Sequence, residues 1–358
     1  MSIWEWIWES RQRAHAEGNP NPERIYRMYR EGMDYRNSDP AQTVARLAQA
    51  RDLAIELQEP WWAQFCEHWR LQTVLCQQRD YGAALDGAVY AAIETRKPLY
   101  AQFPQRICIQ EDMISACTGI DPEGYAEQAE QALGYMQAEV SPEAECNNCI
   151  KELRLEIAIA LNRLEEAEEA ALAALQYAKA KGDKMHSAIA LRHLCTIAFR
   201  RGDYGLIKGY AQEALTDAYA SSHTATILSG LVWQALAARK AGDERTASRS
   251  FRMAVARLKQ AGAEPAEDFY EALTAFHESA GAYDQAIGAR QTELARIEGK
   301  GQIAEECLAR LEICRLLCLL GQTTELETEL QTIETIAARL KKPAKVLAKV
   351  QDFRESAT

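Results

Sequence analysis

Cys146-Asn147-Asn148-Cys149 has the spacing of a zinc half-site or a redox dithiol, and it is the pairing here most able to do chemistry. Structural zinc needs four ligands, and no second such pair exists in the chain. Ser141-Pro142-Glu143 starts a helix just before it, and Cys149, Ile150, Leu153 and Ile157 continue at helical spacing. The pair therefore reads as half-buried core, as do Cys307, Cys314 and Cys318 on one later helical face. The six histidines are scattered, and His186 and His193, two turns apart on one helix, make at best a weak site. Glu165-Glu166 and Glu168-Glu169 form the outward face of a helix, with nothing to raise one carboxyl selectively. No phosphate-cradling glycine loop and no Gly-x-Ser-x-Gly elbow occur. The expectation is no catalytic residue, no cofactor, no metal and no enzyme activity.

Composition narrows the class. Of 358 residues, 47% are hydrophobic and 26% charged, with no run long enough to span a bilayer and no signal-like leader, so a cytoplasmic protein is expected. Ten cysteines set mostly inside apolar helical patterns suit reduced thiols used as small core residues. The net charge of −11 is uneven: residues 111–170 carry 15 acidic and 3 basic side chains. Such a surface repels phosphate, so neither nucleic acid nor an anionic membrane is an expected partner.

The organisation is periodic. Ser38, Arg79, Gly119, Asn162, Gly202, Gly242, Gly281 and Gly321 are spaced 41, 40, 43, 40, 40, 39 and 40 residues apart. A second series of breakers falls about half a period later: Pro60, Pro98, Pro142, Gly182, Ser221-Ser222, Gly262, Gly299 and Pro343. A fixed period of this size marks one small unit copied and stacked. In residues 184–219, Ala188, Leu191, Leu194, Cys195 and Ala198 recur at helical spacing before Gly202-Asp203. Tyr204, Ile207, Ala211, Ala214 and Leu215 then resume it, so helix, turn, helix is the unit. Small residues at Ala198, Ala211 and Ala214 let the two helices approach closely, and Tyr204 is expected to plug the elbow. If buried, its truncation would cost about 3–5 kcal/mol.

This elbow resembles the tetratricopeptide repeat. Cys195, Gly202-Asp203-Tyr204 and Ala214 carry the resemblance best, with Gly242-Asp243, Ala247 and Ala254 next. The likeness covers roughly residues 22–341. It departs from the family in its period, longer than the usual repeat of about 34 residues, and in lacking the usual proline at most unit ends. Longer units of this kind are similar to those of bacterial peptide-sensing phosphatase regulators and of sensor domains in large transcription activators. The resemblance implies an all-α solenoid, a right-handed superhelix of about eight TPR-like repeats. Residues 1–20 would form an N-terminal capping helix, 21–341 the repeats, and 342–358 a C-terminal capping helix and tail.

The resemblance also implies a concave groove lined by the first helix of each pair. Projecting those helices leaves Glu152 and Glu156, then Arg192, Thr196, Phe199 and Arg200, then Val232, Leu236, Arg239 and Lys240, then Glu271, Ala275 and Glu278. A lining that alternates acidic, basic and acidic suits an extended peptide or a helix. The function expected is a scaffold or sensor that holds a protein or peptide there. Charge reversal at Arg192 and Arg200 would then abolish capture while leaving the fold intact.

The two ends differ in character. Six of seven tryptophans, Trp4, Trp6, Trp8, Trp61, Trp62 and Trp69, lie in the first 70 residues, beside Tyr26, Tyr29, Tyr35 and several arginines. Aromatics beside arginine dominate interfaces, so this end is a candidate homodimer or partner surface, through which a ligand-responsive regulator could signal. The competing reading is a cap, with Ile3, Trp4, Ile7 and Trp8 on its packed face and Trp6 pointing elsewhere. At the other end, Pro343 starts a closing helix with Val346, Leu347 and Val350 inward and a basic exterior.

Overall fold

The computed structural model describes residues 2–36, 38–140, 146–261 and 265–357. Among them are eighteen α-helices and no strand, so the protein is all-α. The chain divides into two compact units, Met1–Leu153 with Ile297–Ala304, and Arg154–Arg296 with Glu305–Thr358. The first contains α1 (Ile3–Ala16), α2 (Asn21–Met33), α3 (Pro40–Glu56), α4 (Pro60–Gln72), α5 (Tyr81–Glu94), α6 (Arg106–Ile120), α7 (Pro122–Glu139) and the beginning of α8 (Asn147–Ala160). The second contains the rest of α8, then α9 (Leu164–Lys181), α10 (Lys184–Arg200), α11 (Tyr204–Ser221), α12 (Thr224–Lys240), α13 (Glu244–Ala261), α14 (Phe269–Glu278), α15 (Tyr283–Ile297) but for Ile297, α16 (Ile303–Leu320) but for Ile303 and Ala304, α17 (Thr323–Ala337) and α18 (Ala344–Ala357).

Local chemistry explains where these helices stop and start. Arg79, Asn162, Gly202, Gly242, Gly281 and Gly321 all have positive φ, from 53° to 78°. A residue in this region ends a helix by turning its last N–H groups back onto carbonyls, as Asp203 N does to Ala198 O at 2.8 Å. The aspartate that follows caps the next helix: Asp80 accepts from Ala83 N at 2.9 Å, Asp203 from Leu206 N at 3.3 Å and Asp243 from Thr246 N at 3.0 Å. Gly182, Ser222 and Gly299 of the second series also have positive φ, and Pro60 opens α4. Pro142 and Gly262 lie outside the described residues. Gly119 differs from expectation: it sits inside α6, and the chain reverses after it at Asp121. Its smallness serves packing, because a Cβ there would overlap the Tyr81 ring at the head of α5.

Consecutive helices pack side by side, α2 on α3, α3 on α4, α5 on α6 and α6 on α7 in the first unit, and α9 through α13 in order in the second. Alternate helices also touch, α4 with α6, α10 with α12, and α12 with α14. Ala211 and Ala214 are fully buried where α11 meets its neighbours, as close approach requires. Tyr204 is only half-buried, its ring 6.2 Å from Phe199 and 4.8 Å from Lys240 Nζ, so it covers the elbow without plugging it.

The first unit has an aromatic core, and it corrects the expected face of α1. Trp6 is 6% exposed while Trp4 and Trp8 are 56% and 62% exposed. Trp6 lies 4.9 Å from Trp62 and 5.5 Å from Phe103, ring to ring. Ile7 is buried as expected and Ile3 packs in part, but Trp6 and Ala14 rather than Trp4 and Trp8 complete the packed strip. Near the start of α5, Gly82 N–H donates to Lys300 O at 3.2 Å and Gln302 Nε2 donates to Arg79 O at 3.1 Å. At the C-terminus α18 packs on α17 through Val350, with Arg354 paired to Glu334 at 2.6 Å. Leu347 is exposed rather than inward. Cys318 is likewise exposed, unlike buried Cys307 and Cys314, and no disulfide occurs among the described cysteines. No described helix is long and apolar enough to cross a membrane.

Candidate functional site

In the second unit, polar side chains of α10, α12 and the residue ahead of α14 converge on one carboxylate. Arg192 Nη1 donates to Asp268 Oδ1 at 2.7 Å, Ser229 Oγ donates to the same oxygen at 3.0 Å, and Trp233 Nε1 donates to Oδ2 at 2.6 Å. All four side chains are buried. A buried charge survives when it is paired and its remaining lone pairs are met, and Asp268 meets both conditions. Burial alone would pull the Arg192 guanidinium down, but the Asp268 charge and hydrogen bond hold it above its ordinary value. Arg192 Nη2 also contacts His193 Nε2 at 2.9 Å. Arginine can only donate, so Nε2 accepts and the imidazole proton sits on Nδ1. Burial first, then the charges of Arg192 and Arg200, depress His193 well below its usual value and keep it neutral.

The expected groove residues are thus unequally available. Arg192, Thr196, Val232 and Leu236 are buried within the unit, where they make core and ion pair rather than a contact surface. The cause is packing: α12 is covered along most of its length by α10, α11, α13 and α14. Arg200 is exposed but engaged, with Nε 3.1 Å from Glu271 Oε1 and Nη1 2.9 Å from Ile159 O. Arg239 stacks 3.9 Å above the Phe276 ring, and Lys240 is exposed beside Tyr204. Phe199, Glu271, Ala275 and Glu278 are half-buried, and Glu278 pairs with Arg315 at 2.7 Å. Glu156 is exposed and acts on Arg192 electrostatically.

The first unit carries a second convergence, with the opposite charge balance. His68 Nδ1 and Asp112 Oδ2 are hydrogen-bonded at 2.7 Å, and Gln72 Nε2 donates to Asp112 Oδ1 at 2.7 Å. Beside them Glu111 is hydrogen-bonded to the Cys149 thiol and faces the charges of Asp112 and Glu152. Its carboxyl is pushed up to about 7, by burial first and then by Asp112, against the opposing influence of His68. The Cys108 thiol is hydrogen-bonded to Cys146, and that contact together with burial raises it well above its ordinary value. Burial, then Glu111 and Glu152, raise Cys149 also. Among the described residues, no three His, Cys, Asp or Glu side chains are arranged to hold a metal ion.

Sequence reading missed His68, Asp112, Glu111 and Cys108 in this cluster, and Ser229, Trp233 and Asp268 in the other. A signal was present: Gln72 and Asp112 are 40 residues apart, one sequence period, and lie on α4 and α6, which touch. Polar residues one period apart on such helices are candidates for direct contact. Cys146 and Cys149, read as a half-buried core pair, are half-buried, and their partners include Cys108 and Glu111. Neither a protein-family model nor a curated protein matches the sequence.

Proposed function

We propose that the chain is a protein- or peptide-binding scaffold, built of tetratricopeptide-like helix pairs stacked as a right-handed superhelix, and that it holds a partner segment against its first helices. Recurrent positive-φ elbows, aspartate caps and buried alanines between neighbouring helices support the repeat reading. The partner segment carries lysine or arginine. One observation bears the weight of this: Glu111 faces the like charges of Asp112 and Glu152, and burial first, then Asp112, push its carboxyl up to about 7 against the influence of His68. A basic side chain there would replace the proton of that carboxyl. In the second unit Arg192 is already paired with Asp268.

Binding fits this cluster better than catalysis. A cysteine nucleophile works as the thiolate, and the thiols of Cys108 and Cys149 are pushed the other way. His68 is turned to Asp112. The test is calorimetry of the whole chain with lysine- and arginine-bearing peptides, their neutral counterparts, and the Glu111→Gln/Glu152→Gln variant. Selective binding of basic peptides, weakened by about tenfold in the variant, is expected. Equal affinity of the variant removes the reading.

A further inference from the structure

An open cleft of about 350 Å³ lies in the first unit between α1, the α1–α2 connection and the start of α4. That volume is in the range of sites for small ligands or single side chains. Three indoles are among its lining residues, those of Trp6, Trp61 and Trp62, of which Trp6 and Trp62 are almost wholly buried. Two of those rings are held in place: Trp61 Nε1–H donates to Leu99 O at 2.9 Å and Trp62 Nε1–H to Ser10 Oγ at 3.2 Å. Trp61 is the half-buried one, its N–H already engaged, and so the indole with ring surface left for an occupant.

The rim is anionic. Glu9 stands exposed on α1 and Glu17 just past its C-terminal end, and Glu59 precedes α4, its Oε1 accepting from Asn19 Nδ2 at 3.3 Å. Arg13 is the single cation in the lining, against these three carboxylates. A ring face under carboxylates attracts an organic cation twice over, through the quadrupole of the ring and through charge. The chain uses the same chemistry on itself nearby. Arg11 lies 4.0 Å over the Tyr26 ring while pairing with Glu23 at 2.7 Å.

We propose that this cleft binds a guanidinium or alkylammonium group, seated on the Trp61 ring and neutralised by Glu9, Glu17 and Glu59. The cation is either a free small molecule or a basic side chain of a partner. This site shares no residue with the Glu111 cluster and does not depend on the function proposed for it.

The whole chain is titrated by calorimetry, with tryptophan fluorescence in parallel, against tetramethylammonium, N-acetyl-arginine amide, an arginine-bearing peptide and the same peptide with citrulline. Saturable binding of the cationic probes and not of the citrulline peptide is expected. The Glu9→Gln/Glu17→Gln variant, altered only at exposed positions, should bind about tenfold more weakly, and Trp61→Phe should weaken binding without abolishing it. Binding of both small cations and peptide identifies a small-molecule source, and binding of the peptide alone a protein source; either upholds the site. Equal response to the citrulline peptide, or an unchanged affinity in the Glu9→Gln/Glu17→Gln variant, overturns it. The Glu111→Gln/Glu152→Gln variant should keep the wild-type fluorescence response to tetramethylammonium, whatever it loses toward basic peptides, which separates the two sites.

Discussion

Arg192 on α10 and Asp268 ahead of α14 are 76 residues apart in the chain and meet at 2.7 Å, both nearly closed to water. Removing one partner leaves the other charge buried and alone. Arg192→Glu should therefore destabilise the protein by at least about 3–5 kcal/mol, whereas it was expected to leave the fold intact. Arg200→Glu breaks a more exposed pair and should cost about 1 kcal/mol or less. Urea midpoints of the two variants decide this, and similar small losses would show that Asp268 finds another partner.

Trp6 and Trp4 supply a second contrast. Trp6→Ala opens the aromatic core and should cost about 3–5 kcal/mol, by the transfer and cavity terms together. Trp4→Ala and Trp8→Ala, at exposed positions, should change stability by about 0.5 kcal/mol. Thermal melts of the three variants check the assignment of the packed face.

The two units should respond to pH with opposite signs. Glu111 keeps its proton to about 7 when folded, beside Asp112, Glu152, His68 and Cys149, but ionises in the ordinary carboxylate range when unfolded. Its contribution is complete at low pH and is lost as pH rises to about 7. Glu111→Gln should gain stability relative to wild type between about pH 5 and about pH 8. His193, facing Arg192 and Arg200, has a depressed folded value, so the unfolded chain takes its proton first. Stability is therefore lost as pH falls below the ordinary imidazole value of 6.5, and His193→Gln should flatten that acid limb. Denaturant midpoints across the pH range measure both.

Gly301 approaches Gly82 so closely that a Cβ would stand 2.5 Å from the Gly82 nitrogen, at a φ of +76°. Gly301→Ala should loosen the Ile297–Ala304 segment from the start of α5, at a cost of about 1–3 kcal/mol. Gly202 also has positive φ, but nothing crowds it, so Gly202→Ala should cost less. Hydrogen exchange at Gly82 N–H, which donates to Lys300 O, reports the loss directly.

Helix ends were legible because their chemistry is local. A glycine accepts positive φ and an aspartate caps the next turn whatever lies elsewhere, so Gly202-Asp203 and Gly242-Asp243 mark elbows in the chain itself. Buried alanines such as Ala211 and Ala214 were legible for a similar reason, since helical spacing keeps them on one face. The aromatic and charged positions were not. Whether Trp6 or Trp4 is buried depends on which side of α1 finds α2 and α4, and the apolar spacing of that helix admits both. Leu236 read as lining until α10, α11, α13 and α14 closed over α12, and Arg192 until Asp268 met it. His68, Asp112, Glu111 and Cys149 acquire their meaning only where α4, α6 and α8 meet, because burial and a neighbouring charge shift a carboxyl and neither exists along a single helix. The residues alone determined where the chain bends; the tertiary structure decided which side chains face water, because exposure belongs to pairs of helices and not to one.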